Sequence, residues 1–107
     1  MTLPDVEALM AQVQAQQDEV LRIQKSVERL EIKASSRDDE VRVTLSGTGD
    51  FTEISIDPQA LRRYDTHQLS DLLVEAVNAG IIKLRQASAA KFAPLIESAS
   101  GIEGVDQ

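Results

Sequence analysis

Val41-Arg-Val-Thr-Leu-Ser-Gly-Thr-Gly-Asp-Phe-Thr-Glu-Ile-Ser-Ile-Asp-Pro58 contains two short runs in which every second residue is apolar, first Val41, Val43 and Leu45, then Thr52, Ile54 and Ile56. Successive side chains of a strand point to opposite faces, so period two marks half-buried β-strands. The glycines of Ser46-Gly47-Thr48-Gly49-Asp50 supply the backbone freedom that a tight hairpin demands. Asp57-Pro58 then stops the second run, because proline donates nothing to a strand ladder and restricts the residue before it. Upstream, Ile32 and Ala34 alternate in the same way, and Arg37-Asp38-Asp39 separates them from Val41. The three runs predict a three-stranded antiparallel meander.

Long helices are predicted on either side of it. From Pro4 to about Glu31, Val6, Val13, Val20 and Val27 recur every seven residues, with Leu9, Gln16, Ile23 and Leu30 three places on. Seven of those eight positions are apolar, the pattern of an amphipathic helix with a coiled-coil-like seam. Pro4 suits a first turn, and Asp5 and Glu7 complement the positive end of the helix dipole. After Pro58, Gln59 to Tyr64 reads as a short helical turn, and Asp65 with Gln68 as a helix cap. Leu69, Leu72, Leu73, Ala76, Val77, Gly80, Ile81 and Leu84 follow at helical spacing. The second long helix is therefore predicted from about Thr66 to Ala93, where Pro94 interferes.

The order is α+β: long helix, three-stranded antiparallel meander, long helix. Residues 1–97 form a single domain in this reading, and residues 98–107 a flexible tail. A helix of about 28 residues is roughly 42 Å long, whereas a compact domain of this size has a radius of gyration near 13 Å. The first helix must project, and its seam lies against the second helix, a partner chain, or both. A three-stranded sheet also leaves two edges, and a twofold partner on one of them makes a joined sheet. Helix and edge both predict a homodimer, intertwined or edge-paired. The residues expected in its core or interface are Val13, Val20, Ile23, Val27 and Leu30 of the first helix, Val41, Val43, Leu45, Ile54 and Ile56 of the sheet, and Leu73 and Val77 of the second helix.

With 107 residues, 42% hydrophobic and only Phe51, Tyr64 and Phe92 aromatic, the core must be aliphatic. The absence of cysteine excludes disulfides, thiolate metal sites and cysteine nucleophiles, and fits a reducing, cytoplasmic setting. No basic and apolar leader opens the chain, and no run approaches the roughly 20 apolar residues of a membrane span. Eighteen acids against eleven bases give a net charge of −7, which opposes a polyanionic partner unless the bases share a face.

The element order, the length and the phrase from Val41 to Ile56-Asp57-Pro58 resemble the YbaB/EbfC family of nucleoid-associated DNA-binding proteins. Leu69-Ser-Asp-Leu-Leu-Val-Glu-Ala-Val-Asn78, which enters the second long helix, and the Gln-rich first helix are similar to that family too. The resemblance covers about residues 5 to 93. It implies a dimer with a joined central sheet and projecting paired helices, binding DNA with little or variable sequence preference, nucleoid-associated, and active in nucleoid organisation or gene regulation.

No set of residues promises catalysis. The single histidine, His67, falls at the start of an exposed helix, where it reads as a solvated cap residue. No His pair, Cys set or calcium-loop spacing offers a metal cage, no cofactor motif is present, and Gly47-Thr-Gly49 is a turn without the helix that a phosphate-binding loop leads into. Asp38, Asp39 and Glu40 read as a solvated sheet edge that discourages aggregation. For DNA, the candidates are Arg22, Lys25 and Arg29, which fall on one face of the first helix, extended by Lys83, Arg85 and Lys91 on the second. The plain alternative is a salt-bridged helix face, since Glu19, Glu28 and Glu31 lie close by. Arg62-Arg63 is a second basic spot, read as a charge in a turn with no special partner.

Two functions follow. In one, a non-enzymatic homodimer binds double-stranded DNA mainly through phosphates, with affinity that falls steeply with salt. In the other, an acidic dimeric scaffold presents an apolar groove to a protein partner and ignores DNA.

Overall fold

Helix α1 (Leu3–Glu28), strands β1 (Glu31–Ser35), β2 (Val41–Ser46) and β3 (Phe51–Ile56), and helices α2 (Pro58–Arg63) and α3 (Thr66–Gly104) follow in that order. The computed structural model describes residues 3–104, with side chains over residues 6–97. The α+β arrangement is the one the sequence predicts.

The sheet is an antiparallel meander in the order β1-β2-β3. Ile32 pairs with Leu45 and Ala34 with Val43 across β1 and β2, while Val41 pairs with Ile56, Val43 with Ile54 and Leu45 with Phe51 across β2 and β3. A register shift between Thr44 and Leu45 bends the second ladder near the hairpin. Because the side-chain period is two, and the register shift sets Phe51 opposite Leu45, these residues share one face. Helix α3 lies across that face over β1 and β2. Val41, Val43 and Leu45 are completely buried there and join Ala34, Leu72 and Ala76 in the core. Gly80 lets α3 approach closely, since a Cβ at this position would stand 3.1 Å from Leu45 Cδ2.

Local chemistry sets the element ends. Asp65 and Gln68 form a reciprocal cap at the start of α3: Gln68 N–H donates to Asp65 Oδ1 at 2.8 Å, and Asp65 N–H to Gln68 Oε1 at 3.0 Å. Asp57 caps α2 by accepting from the Gln59 N–H at 3.0 Å, with Pro58 in the first turn. At the β2–β3 hairpin Gly49 takes φ +92°. Gly47 has a different role. Its N–H donates to the Leu30 carbonyl at 2.9 Å, and a Cβ there would collide with the Val27 backbone, so the hairpin tip is clamped to the end of α1.

Three expectations need correction. Pro94 does not end the last helix, which runs on to Gly104. Proline removes one N–H from the ladder, but its neighbours Ala87, Ala89, Ala90, Ala93 and Leu95 have high helix propensity and sustain both flanks. Much of the segment expected as a tail, residues 98–107, is thus helical in backbone, and residues 105–107 lie outside the described ones. Glu40 is not part of a solvated edge. It is 5% exposed, because Tyr64 and Arg63 at the end of α2 close over it. Arg63, expected without a partner, is 3.5 Å from Glu40 Oε2 through its Nη1 and lies over the Tyr64 ring. Asp38 and Asp39 do remain exposed, in a 3₁₀ turn over Arg37–Asp39 where both adopt positive φ.

The chain is far from spherical. Its extents are 75 × 31 × 16 Å and its radius of gyration is 21.3 Å, against about 13 Å for a compact domain of this length. Its accessible surface is 8094 Å², where a compact monomer of this mass would expose roughly 5,900 Å². Every residue of α1 from Val6 to Asp18 is exposed, including the seam residues Leu9, Val13 and Gln16. Lower down the seam is covered: Ile23 is buried, and Val20, Val27 and Leu30 are half-buried where α1 meets the body. Among the described residues, no helix is long and apolar enough to cross a membrane.

Candidate nucleic-acid interface

The basic stripe lies on the last turns of α1 and on the residue that follows it, next to the sheet. Arg22, Lys25 and Arg29 are all exposed, as helical spacing of three and four residues requires on the side away from Ile23. Arg22 is engaged by its own helix, with Nη1 3.0 Å from Glu19 Oε2. Among the described residues, Lys25 and Arg29 form no ion pair, so their charges stand free for a phosphate.

On α3 the three candidates separate. Lys83 reaches the edge of the sheet, where its Nζ donates to the Lys33 carbonyl at 3.0 Å. Arg85 and Lys91 are exposed and, among the described residues, unpaired by salt bridges. Two residues farther along a helix lie some 200° around its axis. Lys83 and Arg85 therefore face different sides.

Two cations that the sequence reading did not select lie beside Lys83. The face of the sheet opposite the core carries Lys33 and Ser35 from β1, Arg42 and Thr44 from β2, and Glu53 and Ser55 from β3, aligned as Lys33–Thr44–Glu53 and Ser35–Arg42–Ser55. With Lys83 and Asp39 they line a shallow depression of about 360 Å³. The signal was present in the sequence, since the alternation that buries Val41 and Val43 also turns Arg42 outward. Three cations and three hydroxyls offer donors to phosphate oxygens, opposed by the two acids.

The residues expected in the core or interface fall into three groups. Val41, Val43, Leu45 and Ile23 are buried; Val20, Val27, Leu30, Ile56, Leu73 and Val77 are half-buried; Val13 and Ile54 are 48% and 50% exposed. Ile54 points to the same face as Val43, but α3 packs mainly over β1 and β2. Phe51, on that strand, is also open to solvent, and so is Leu61 of α2.

His67 is exposed and 3.7 Å from Asp71, one turn along the same helix. Among the described residues, no group of three or more His, Cys, Asp or Glu side chains is placed to hold a metal ion.

Known proteins share this sequence and fold. The profile of the YbaB/EbfC DNA-binding family matches residues 1–99. The chain is 32% identical over 98 residues to a nucleoid-associated protein of Corynebacterium kroppenstedtii, covering 92% of this chain and 98% of the relative. It is 31% identical over 101 residues to a nucleoid-associated protein of Rhodococcus erythropolis, covering 94% and 88%. A crystal structure of an uncharacterized protein from Helicobacter pylori superimposes with a TM-score of 0.67 at 17% identity, over 90% of this chain and 98% of that one. That structure is similar in fold.

Proposed function

The chain belongs to the YbaB/EbfC DNA-binding family, and from that premise we propose that it is a nucleoid-associated protein that holds duplex DNA through its phosphates. The observation that carries this reading is the match of the family profile to nearly the whole chain, joined to nucleoid-associated relatives over more than nine-tenths of its length. In this reading the protein is not an enzyme. It works in the cytoplasm on the nucleoid, organising DNA or influencing its expression with little sequence preference.

Contact falls to exposed cations of the sheet-proximal helices, first Lys25 and Arg29, then Arg22, Arg85, Lys91 and Lys83. Phosphate contact by such cations is independent of sequence. The protein acts as a homodimer. Support comes from the apolar side of β3, where Phe51 and Ile54 are 37% and 50% exposed, and from a surface about 2,200 Å² larger than a compact monomer would have. A second copy doubles the cation set, which is how a chain of net charge −7 gathers enough phosphates to bind. The competing reading, an acidic dimeric scaffold that binds a protein partner and ignores DNA, is not favoured by the family or by the names of its members.

A titration against fluorescent duplex DNA at low and moderate salt, with light scattering on the same sample, tests the proposal. The expected result is a dimer whose affinity falls steeply with salt and is weakened by changing Arg22, Lys25 and Arg29 to Ala. A dimer that ignores DNA even at low salt would overturn it.

A further inference from the structure

The net charge of −7 is not spread over the molecule. Four acids and no base lie before Arg22, namely Asp5, Glu7, Asp18 and Glu19, and three acids and no base lie after Lys91. The seventy residues between hold the other eleven acids against all eleven bases. Residues 22–91 are therefore balanced in formal charge, and the excess of negative charge falls in the sequence on either side of them.

Along α1 the fold makes that segregation spatial. Helix α1 runs 26 residues, about 39 Å at 1.5 Å per residue, and only its last turns meet the body. Residues 6–18 are exposed throughout. Glu7 stands 18 residues before Lys25, about 27 Å along the helix axis. The Debye length is about 8 Å at physiological salt, so Glu7 neither neutralises nor weakens the cations near the sheet, whereas Glu19 pairs directly with Arg22. Each acid acts only on what lies beside it. A duplex laid along the outer arm would place its phosphates against acids, with no cation before Arg22 to answer them.

We propose that the duplex is seated on the sheet-proximal body, between residues 22 and 91, and that the outer end of α1 is held clear of it by its own charge. This rests on the DNA-binding reading and adds where on the molecule DNA lies and where it does not. The projecting arm of α1 is not a jaw that grips the nucleic acid. The apolar residues exposed on α1, Val6, Leu9, Met10 and Val13, are consistent with this placement, since a helix face that touches phosphates carries cations and hydroxyls instead.

The test uses the full chain and a fluorescent duplex of about 30 base pairs, a length of about 100 Å, enough to reach either region. A photo-crosslinking amino acid is introduced at Met10 in one variant and at Gln24 in another, both exposed positions on α1. A third variant carries Asp5→Asn with Glu7→Gln. The expected result is a crosslink to DNA from position 24 and none from position 10. The neutralised arm should change affinity by less than about twofold at 0.15 M salt and raise it only near 0.01 M, where the Debye length reaches about 30 Å. Efficient crosslinking from position 10, or a severalfold tightening by the neutralised arm at 0.15 M salt, would overturn the placement while leaving DNA binding intact. Failure of the unaltered protein to bind duplex DNA at low salt would overturn the DNA-binding reading itself, and the placement with it.

Discussion

Tyr64 Oη donates a hydrogen bond to Glu40 Oε1 at 3.0 Å, joining the end of α2 to the residue that opens β2. Glu40 Oε2 makes no hydrogen bond and faces the Arg63 guanidinium at 3.5 Å. A carboxylate so enclosed depends on the tyrosine and arginine for what water would otherwise supply. The pair ties together segments 24 residues apart in sequence.

Replacing Tyr64 by Phe should therefore lower stability by about 1–3 kcal/mol, because it leaves a buried acceptor unsatisfied. Glu40→Met, which removes the charge and keeps the volume, should cost less, and the double variant should fall well short of additive. Urea unfolding of the three variants checks this. Equal losses for Tyr64→Phe with or without Glu40 would show that the hydrogen bond contributes nothing.

Gly47 and Gly49, two residues apart in one hairpin, should respond very differently to alanine. A Cβ at Gly49 meets nothing within 4 Å, so only its positive φ is at stake, a cost of about 1 kcal/mol. At Gly47 the new methyl would collide with the Val27 backbone, and backbone cannot rotate away as a side chain can. Gly47→Ala should separate the hairpin from α1 and lose at least about 3 kcal/mol, or fail to fold, as read by circular dichroism and thermal melting.

The Glu19–Arg22 ion pair holds one cation of the α1 stripe. Glu19→Gln should release it and strengthen binding to duplex DNA by a few-fold at low salt, while Arg22→Ala should weaken binding less than Lys25→Ala or Arg29→Ala. Fluorescence anisotropy over a salt series separates these outcomes through the slope of log affinity against log salt.

The open side of β3 gives a prediction for assembly. Ile54 is 50% exposed although it pairs with Val43, one of the most buried residues of the protein. In the proposed dimer Ile54→Glu places a charge in an apolar contact, which should weaken association by at least about tenfold and leave the monomer folded. Sedimentation or light scattering reads the assembly, and circular dichroism the fold. An unchanged dimer would place the interface elsewhere.

Short-range chemistry was legible from residues alone. The alternation of Val41, Val43 and Leu45 fixed both strand and buried face, the heptad of valines fixed α1, and Asp65 with Gln68 marked the start of α3, because each signal depends on neighbours a few positions apart. The same alternation turned Arg42 outward beside Lys33, although that pair gains meaning only once β1 and β2 lie in register and Lys83 arrives from 50 residues away. The run of eighteen acids and eleven bases also disclosed its uneven distribution, since charge is a property of the chain before it folds.

Other features needed the tertiary structure. Glu40 looked like its acidic neighbours, and only the return of α2 over β2 buries it against Tyr64 and Arg63. Pro94 looked like a stop, yet one missing hydrogen bond does not outweigh the helix-forming residues on either side of it. Which part of the α1 seam is covered was equally invisible, because one apolar repeat runs from Val6 to Leu30 while its lower turns meet the body and its upper turns meet none of it. Local sequence determined the elements and their inner faces, since those follow from backbone geometry and side-chain periodicity. Tertiary structure decided which polar groups are buried, which cations are free and which apolar faces remain open, since those depend on what distant segments bring alongside.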